Sequence, residues 1–96
     1  MMNPLNSILI NESDNVATAL VELLRGDTGR YAFQGKTMEV AIVENVPQYH
    51  KFAVCGIERN ERVCKYGEVI GRADRPIAAG AHVHEHNLIS PGENQS

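Results

Sequence analysis

One short pattern occurs four times along this chain and constrains its fold more than any other feature. Each copy starts with an aliphatic residue, continues through two other residues and ends where a tight turn is expected. The copies are Leu23–Gly26, Val46–Tyr49, Ile57–Asn60 and Ile77–Gly80. Gly and Asn tolerate the left-handed backbone conformation that such turns need. The pattern is typical of short strands joined by tight turns, so the sequence predicts an all-β domain.

The expected strands are short and cover much of the chain. They are Ser7–Asn11, Val16–Leu23, Thr37–Val43, Lys51–Cys55, Arg62–Tyr66, Val69–Ala73 and His82–Leu88. A helix is the alternative for residues 16–24, because Asp14 or Asn15 could cap it and its apolar residues recur at helical spacing. The β-branched residues of this segment favour the strand. Residues 27–35 are polar and contain glycine, and they predict a mobile loop.

The size and charge of the chain limit its class. The 96 residues fit one small domain over residues 1–89, followed by a flexible tail or the start of a linker over residues 90–96. A domain this small buries little surface, so partner contacts or formation of a homo-oligomer would help to stabilise it. The net charge of −3 argues against nucleic-acid binding. With no long apolar run, no basic cluster and no secretory signal, we expect a cytoplasmic protein without membrane contacts.

Three of the four histidines, His82, His84 and His86, are spaced two residues apart. On a β-strand all three side chains would project from one face. Imidazoles are the side chains best suited to proton transfer near neutral pH, and they are common metal ligands. The alternative is a stripe of solvated surface histidines with no chemical role.

Two other segments carry candidate functional groups. His50 and Lys51 place a titrating base beside a cation, although neighbours on a strand point to opposite faces, so at most one of them lines a given site. Lys65 and Tyr66 precede a predicted hairpin and could offer a cation and a phenolic hydrogen bond to a carboxylate. The alternatives are that both lysines are solvated, that His50 caps a turn and that Tyr66 packs at the domain edge.

Taken in order, these segments resemble the SAF domain of the altronate/galactarate dehydratases and the sulfolactate sulfo-lyases. The matching segments are Asp14–Ala17, His50–Ala53, Lys65–Gly67, Ile70–Gly71 and Gly80–Asn87. The resemblance runs from about Ile8 to Leu88 and implies a β-clip fold. Three positions depart from the family pattern. Tyr49 replaces a glycine, so a strained backbone or a different turn is expected there. Cys64 replaces a residue that is commonly aliphatic, and Ala81 replaces an acidic residue.

The resemblance implies a small subunit or N-terminal domain of a sugar-acid hydro-lyase, inactive without a large dehydratase-like catalytic subunit. The substrate would be a small hydroxy acid, which the sequence does not identify further. Such a reaction needs a base for the proton next to the carboxylate and an acid or metal for the departing hydroxyl. The resemblance also implies a divalent metal, with iron expected, held mainly by the partner. The alternatives are a sulfolactate sulfo-lyase subunit, a non-catalytic carboxylate- or sugar-binding module and a stand-alone metal-binding protein.

The resemblance further implies roles for individual residues. The predicted catalytic residues are His84, His86, Lys65 and Tyr66, and the predicted substrate-binding residues are His50, Lys51 and Asn87. His84 and His86 are also the candidate metal ligands. We expect these two histidines to share a face and to lie near Lys65 or Tyr66.

Overall fold

The fold consists of short antiparallel strands. The computed structural model describes residues 4–90, and this range holds nine strands and no helix. The strands are β1 (Ser7–Ile8), β2 (Val16–Ala19), β3 (Thr28–Phe33), β4 (Lys36–Ala41), β5 (Lys51–Ala53), β6 (Arg62–Lys65), β7 (Glu68–Ala73), β8 (His82–Val83) and β9 (Leu88–Ile89). The all-β prediction is therefore confirmed. Residues 4–90 include no helix long and apolar enough to cross a membrane.

A four-stranded sheet in the order β1-β2-β5-β8 divides the hydrophobic core in two. Side chains alternate along its strands, so Ala17 and Phe52 pack in one cluster while Val16 and Ala53 pack in the other. The first cluster is covered by the β3–β4 hairpin, and the second by the sheet β6-β7-β9. Both faces of the central sheet are thus buried against another sheet.

The four copies of the repeated pattern form four similar turns. Their first residues are buried and pair as two isolated bridges, Leu23 with Val46 and Ile57 with Ile77. The fourth residues all have positive φ angles, which are 96° at Gly26, 69° at Tyr49, 72° at Asn60 and 85° at Gly80. In each turn the next residue donates its N–H to the carbonyl three positions earlier. A positive φ at the third residue of such a four-residue turn is the signature of type II. The predicted turns are confirmed, and Tyr49 accepts the left-handed conformation.

The first and second halves of the chain are built alike around these turns. In the first half, Ile42 exchanges backbone hydrogen bonds with the residues at 26 and 27, and in the second half Ala73 does so with the residues at 60 and 61. Each half also contains a hairpin whose two turn residues have positive φ, Gln34–Gly35 and Tyr66–Gly67. This repetition places Lys65 and Tyr66 at the tip of the second hairpin.

One prediction about the first half of the chain is wrong, and one alternative is excluded. Residues 27–35 are not a loop, because Thr28–Phe33 forms β3 and pairs with β4 along its whole length. Gly29, one of the two glycines of this segment, is needed in the strand, since a Cβ there would lie 2.7 Å from the Phe52 ring. The alternative helix over residues 16–24 is absent, and Val16–Ala19 is a strand.

The prediction of one continuous strand over His82–Leu88 is also wrong. β8 ends at Val83, residues 84–87 form a turn, and β9 starts at Leu88. Asn87 explains the break: its side chain accepts the His84 N–H and donates to the His82 carbonyl, while its own N–H donates to the His84 carbonyl. Asn commonly stabilises turns in this way. Residues 91–96 of the predicted tail lie outside the described range.

Candidate functional site

The four histidines of the chain come together and are called here the histidine cluster: His50, His82, His84 and His86. The ring centroids of His50 lie 4.4 Å from His84 and 5.1 Å from His82. His82 lies 5.6 Å from His84 and 5.2 Å from His86. Sequence analysis grouped only the last three of these residues, and the structure adds His50 from a distant part of the chain.

Strand register brings His50 to the other histidines. β5 and β8 are antiparallel neighbours, with Lys51 opposite Val83 and Phe52 opposite His82. Extending this register by one residue places His50 opposite His84, on the same face as His82. The turn that contains Tyr49 leads directly into this position. His86 reaches the cluster differently, since it lies in the turn that Asn87 stabilises.

Burial and the charges of neighbouring side chains lower the pKa of His82 and His50, which favours the neutral form of both imidazoles. The pKa of His82 is lowered to about 4, mainly by burial and then by the neighbouring imidazoles, while Glu44 acts weakly in the opposite direction. Burial also lowers the pKa of His50, with smaller contributions from His84 and Lys51. Nδ1 of His50 and Nε2 of His82 are 2.9 Å apart, so one of them donates a hydrogen bond to the other. Neutral imidazoles have lone pairs available for a proton or a metal ion.

A second group, called here the lysine cluster, contains Lys51, Lys65, Tyr66 and Thr18. The Tyr66 hydroxyl donates to Oγ1 of Thr18 at 3.1 Å, and the Lys65 ammonium lies 5.0 Å from the Tyr66 ring centroid. The pKa of Lys51 is lowered by burial and then by the charge of Lys65. These two cations therefore repel each other in a partly desolvated place, where an anion would be stabilised.

The two clusters lie on opposite faces of the central sheet at the start of β5. Lys51 is opposite Thr18 on one face, whereas Phe52 and His82 share the other. Among residues 4–90 no hydrogen bond or ring contact joins His84 or His86 to Lys65 or Tyr66. Their predicted proximity stays a prediction, while His50 contacts the other histidines and Lys51 lies near Lys65, so the two neighbours belong to different clusters.

A buried carboxylate holds the lysine cluster in place. Oδ1 of Asp14 accepts the Gly67 N–H at 2.8 Å, and Oδ2 accepts the N–H groups of Asn11 and Ile10. Asn15 binds β6 through the Arg62 carbonyl and the Cys64 N–H. Neither residue was predicted from the sequence to belong to the site. Their position in the first matching segment of the resemblance was the available signal.

A surface groove of about 400 Å³ lies beside the histidine cluster. His86, Glu44, Arg75 and the buried Asn87 line it, together with aliphatic residues. The amide of Asn87 is occupied by the backbone of its turn, so the structure gives this residue a structural role, and its predicted substrate contact stays a prediction. Arg75 and Glu44 were not predicted from the sequence, because they belong to none of the segments that carried the resemblance.

The chain is similar to parts of known lyases. It is 42% identical over 80 residues to altronate dehydratase of Escherichia coli K12 and 36% identical over 80 residues to altronate dehydratase of Bacillus subtilis 168, covering 83% of this chain each time. It spans about 15% of the length of these relatives. It is also 31% identical to the (2R)-sulfolactate sulfo-lyase subunit alpha of Chromohalobacter salexigens, covering 84% of this chain and 89% of that subunit. The profile of the altronate/galactarate dehydratase SAF domain matches residues 5–91. The chain belongs to the altronate/galactarate dehydratase SAF-domain family.

Proposed function

We propose that this chain serves a sugar-acid hydro-lyase by contributing its histidine cluster to a site completed by a large catalytic subunit or region. One observation carries the proposal: the four histidines form one cluster, and one of them, His86, lines an open groove that a small hydroxy acid could enter. Imidazole is an effective base near neutral pH, and removal of the proton next to a carboxylate needs such a base. The short match to much longer dehydratases supports the need for a partner.

The proposed reaction is a β-elimination of water. The imidazole of His84 or His86 is assigned as the base: it takes the proton from the carbon next to the carboxylate, and the electrons of that C–H bond form a C=C bond. The bond between the adjacent carbon and its hydroxyl breaks, and the hydroxyl leaves as water after accepting a proton from an imidazolium. The enol product rearranges to a 2-keto acid. His86 lines the groove, which places it where a substrate would approach.

The carboxylate of the substrate needs a cation, because negative charge develops on it as the proton leaves. Lys51 and Lys65 supply two cations close together, with the Tyr66 hydroxyl beside them. Because the lysine cluster lies on the opposite face of the central sheet from the histidines, it could contact the same substrate only around the start of β5. Arg75 in the groove is a second candidate for this contact, because it lines the same surface as His86.

The divalent metal implied by the resemblance, with iron expected, is part of the proposal. When bound, it would supply a Lewis acid that polarises the carboxylate or the departing hydroxyl. The histidine cluster fits such an ion, since neutral imidazole nitrogens are good ligands for iron and its neighbours in the transition series.

A domain exchange tests the proposed function. The segment of E. coli altronate dehydratase that matches this chain is replaced by residues 5–91, and dehydration of altronate is measured as 2-keto acid formed. We expect the chimera to be active and its His86→Ala variant to lose about 10²-fold or more in kcat. Lys36→Ala, on the β3–β4 hairpin, is the control and should be active. A folded but inactive chimera, or a fully active His86→Ala variant, would contradict the proposal.

The second candidate is a sulfolactate sulfo-lyase subunit, which the match to 89% of the sulfo-lyase subunit alpha favours. Its elimination needs the same base and the same carboxylate contact, but it releases sulfite instead of water. Exchanging this chain for that subunit alpha and measuring sulfite release from sulfolactate separates the two candidates.

A further inference from the structure

We infer that His50, His82 and His84 form a tridentate site for a first-row transition metal ion, and that His86 is not a ligand. The inference refines the proposed function, on which its catalytic meaning rests, but metal binding itself can be measured without any activity. The ligand pair predicted from the sequence was His84 and His86. In the inferred site His84 is still a ligand, and His50 and His82 take the place of His86.

The positions of the ring nitrogens carry this assignment. One nitrogen from each of His50, His82 and His84 lies within 4.8 Å of the other two, and all three residues are partly buried. The rings are nearly parallel, with interplanar angles of 9–26°. Bonds of about 2.0–2.1 Å from imidazole nitrogen to metal require nitrogens roughly 3–3.4 Å apart. Side-chain rotations that bring the three nitrogens closer together and turn their lone pairs toward one point would complete the site. His86 is tilted by 35° to His82 and is outside this set.

The backbone around each of the three histidines is held by hydrogen bonds. The His50 N–H donates to the Pro47 carbonyl at 3.0 Å and closes the turn. The His82 N–H donates to Oε1 of Glu44 at 3.0 Å. The His84 N–H donates to Oδ1 of Asn87, also at 3.0 Å. Three anchored backbone positions whose ring nitrogens lie close together lower the entropy cost of binding a metal.

The donor set defines the class of metal. Three imidazole nitrogens suit borderline ions such as Fe²⁺, Co²⁺, Ni²⁺ and Zn²⁺, whereas Mg²⁺ and Ca²⁺ prefer oxygen ligands. Three protein ligands also leave coordination positions open for oxygen atoms of a substrate, as in catalytic metal sites. His86 lies next to His82 and lines the groove with Arg75, so it is placed for proton transfer to a molecule that reaches the metal from that side.

Cobalt binding to the full chain tests the assignment. The chain is stripped with a chelator and titrated with Co²⁺ while the visible absorption bands of the bound ion are followed. We expect saturation at one ion per chain and about 10²-fold weaker binding in His50→Ala and His84→Ala. Loss of a residue that only hydrogen-bonds to a metal ligand already lowers metal affinity about 10–100-fold. The matched control, His86→Ala, should bind within about threefold of the unaltered chain, and Mg²⁺ in excess should not compete.

The outcomes separate this inference from the proposed function. No saturable Co²⁺ binding by the unaltered, folded chain would overturn the metal site, as would equal weakening by His86→Ala and His84→Ala. His50→Gln and His84→Gln, checked by circular dichroism, provide folded replacements if an alanine variant unfolds. Specific Co²⁺ binding together with an inactive chimera would refute the function while leaving the metal site intact.

Discussion

The same turn occurs at Gly26 and Gly80, yet alanine should be tolerated very differently at the two positions. Both glycines have positive φ, so alanine pays roughly 1–2 kcal/mol for the left-handed backbone, offset by about 0.4–1 kcal/mol from a less flexible unfolded chain. Around Gly26 no atom lies within 4 Å of an added Cβ, whereas at Gly80 the Cβ would overlap the Ala41 carbonyl. Relief of such an overlap costs a further ~1–3 kcal/mol. We expect losses of about 1 kcal/mol for Gly26→Ala and about 3 kcal/mol for Gly80→Ala.

Urea unfolding followed by circular dichroism measures both losses. For a domain of this size, a difference of about 2 kcal/mol corresponds to roughly 8–16 °C in Tm. Both losses are measured relative to the unaltered chain. Gly26→Ala is the matched control, because it has the backbone strain without the overlap. Equal losses at the two positions would show that strain alone decides the stability of these turns and would refute the reasoning.

Three more outcomes concern stability. Tyr49→Gly should stabilise the chain by about 0.5 kcal/mol, because relief of the strain at φ 69° outweighs the entropy that glycine adds to the unfolded chain. A lower urea midpoint would contradict this. Asp14→Ala should cost about 2–4 kcal/mol, because three backbone N–H groups lose a buried carboxylate. Stability should fall between about pH 6.5 and pH 4, because the folded-state pKa of His82 is about 4 and the unfolded chain binds the extra proton; His82→Asn should flatten this fall.

The turns were predictable from sequence because their determinants are local. An aliphatic residue that must be buried, followed at a fixed distance by Gly or Asn, specifies both the bridge and the left-handed position. Tyr49 shows that the backbone hydrogen bonds around a turn can impose the left-handed conformation on a residue other than Gly or Asn. It occupies the same position as Gly26 and Gly80 with φ 69°, although its side chain is 66% exposed and packs little against the domain. The surrounding backbone hydrogen bonds therefore impose the conformation.

The errors arose where distant contacts decide the structure. β3 contains Gly29 and few consecutive apolar residues, and its strand conformation depends on pairing with β4 and on the close approach of Phe52. The break after Val83 depends on Asn87, whose side chain bonds the backbone on the other side of the turn. The alternation of side chains along the sequence reveals neither of these contacts, because whether a segment forms a strand depends on the neighbouring strands it packs against.

The histidine cluster combines a predictable part with an unpredictable one. Alternation predicted His82, His84 and His86 on one strand face; β8 ends at Val83, yet the rings of His82 and His84 lie 5.6 Å apart. His50 joins them only because β5 and β8 are adjacent and in a register that places it opposite His84. Two of the four repeated turns set this register, since the N–H groups of Tyr49 and Gly80 donate to β2 and β5, respectively. The turns that made the fold recognisable from sequence therefore also assemble the candidate site, and replacing Gly80 should disturb the histidines together with the core.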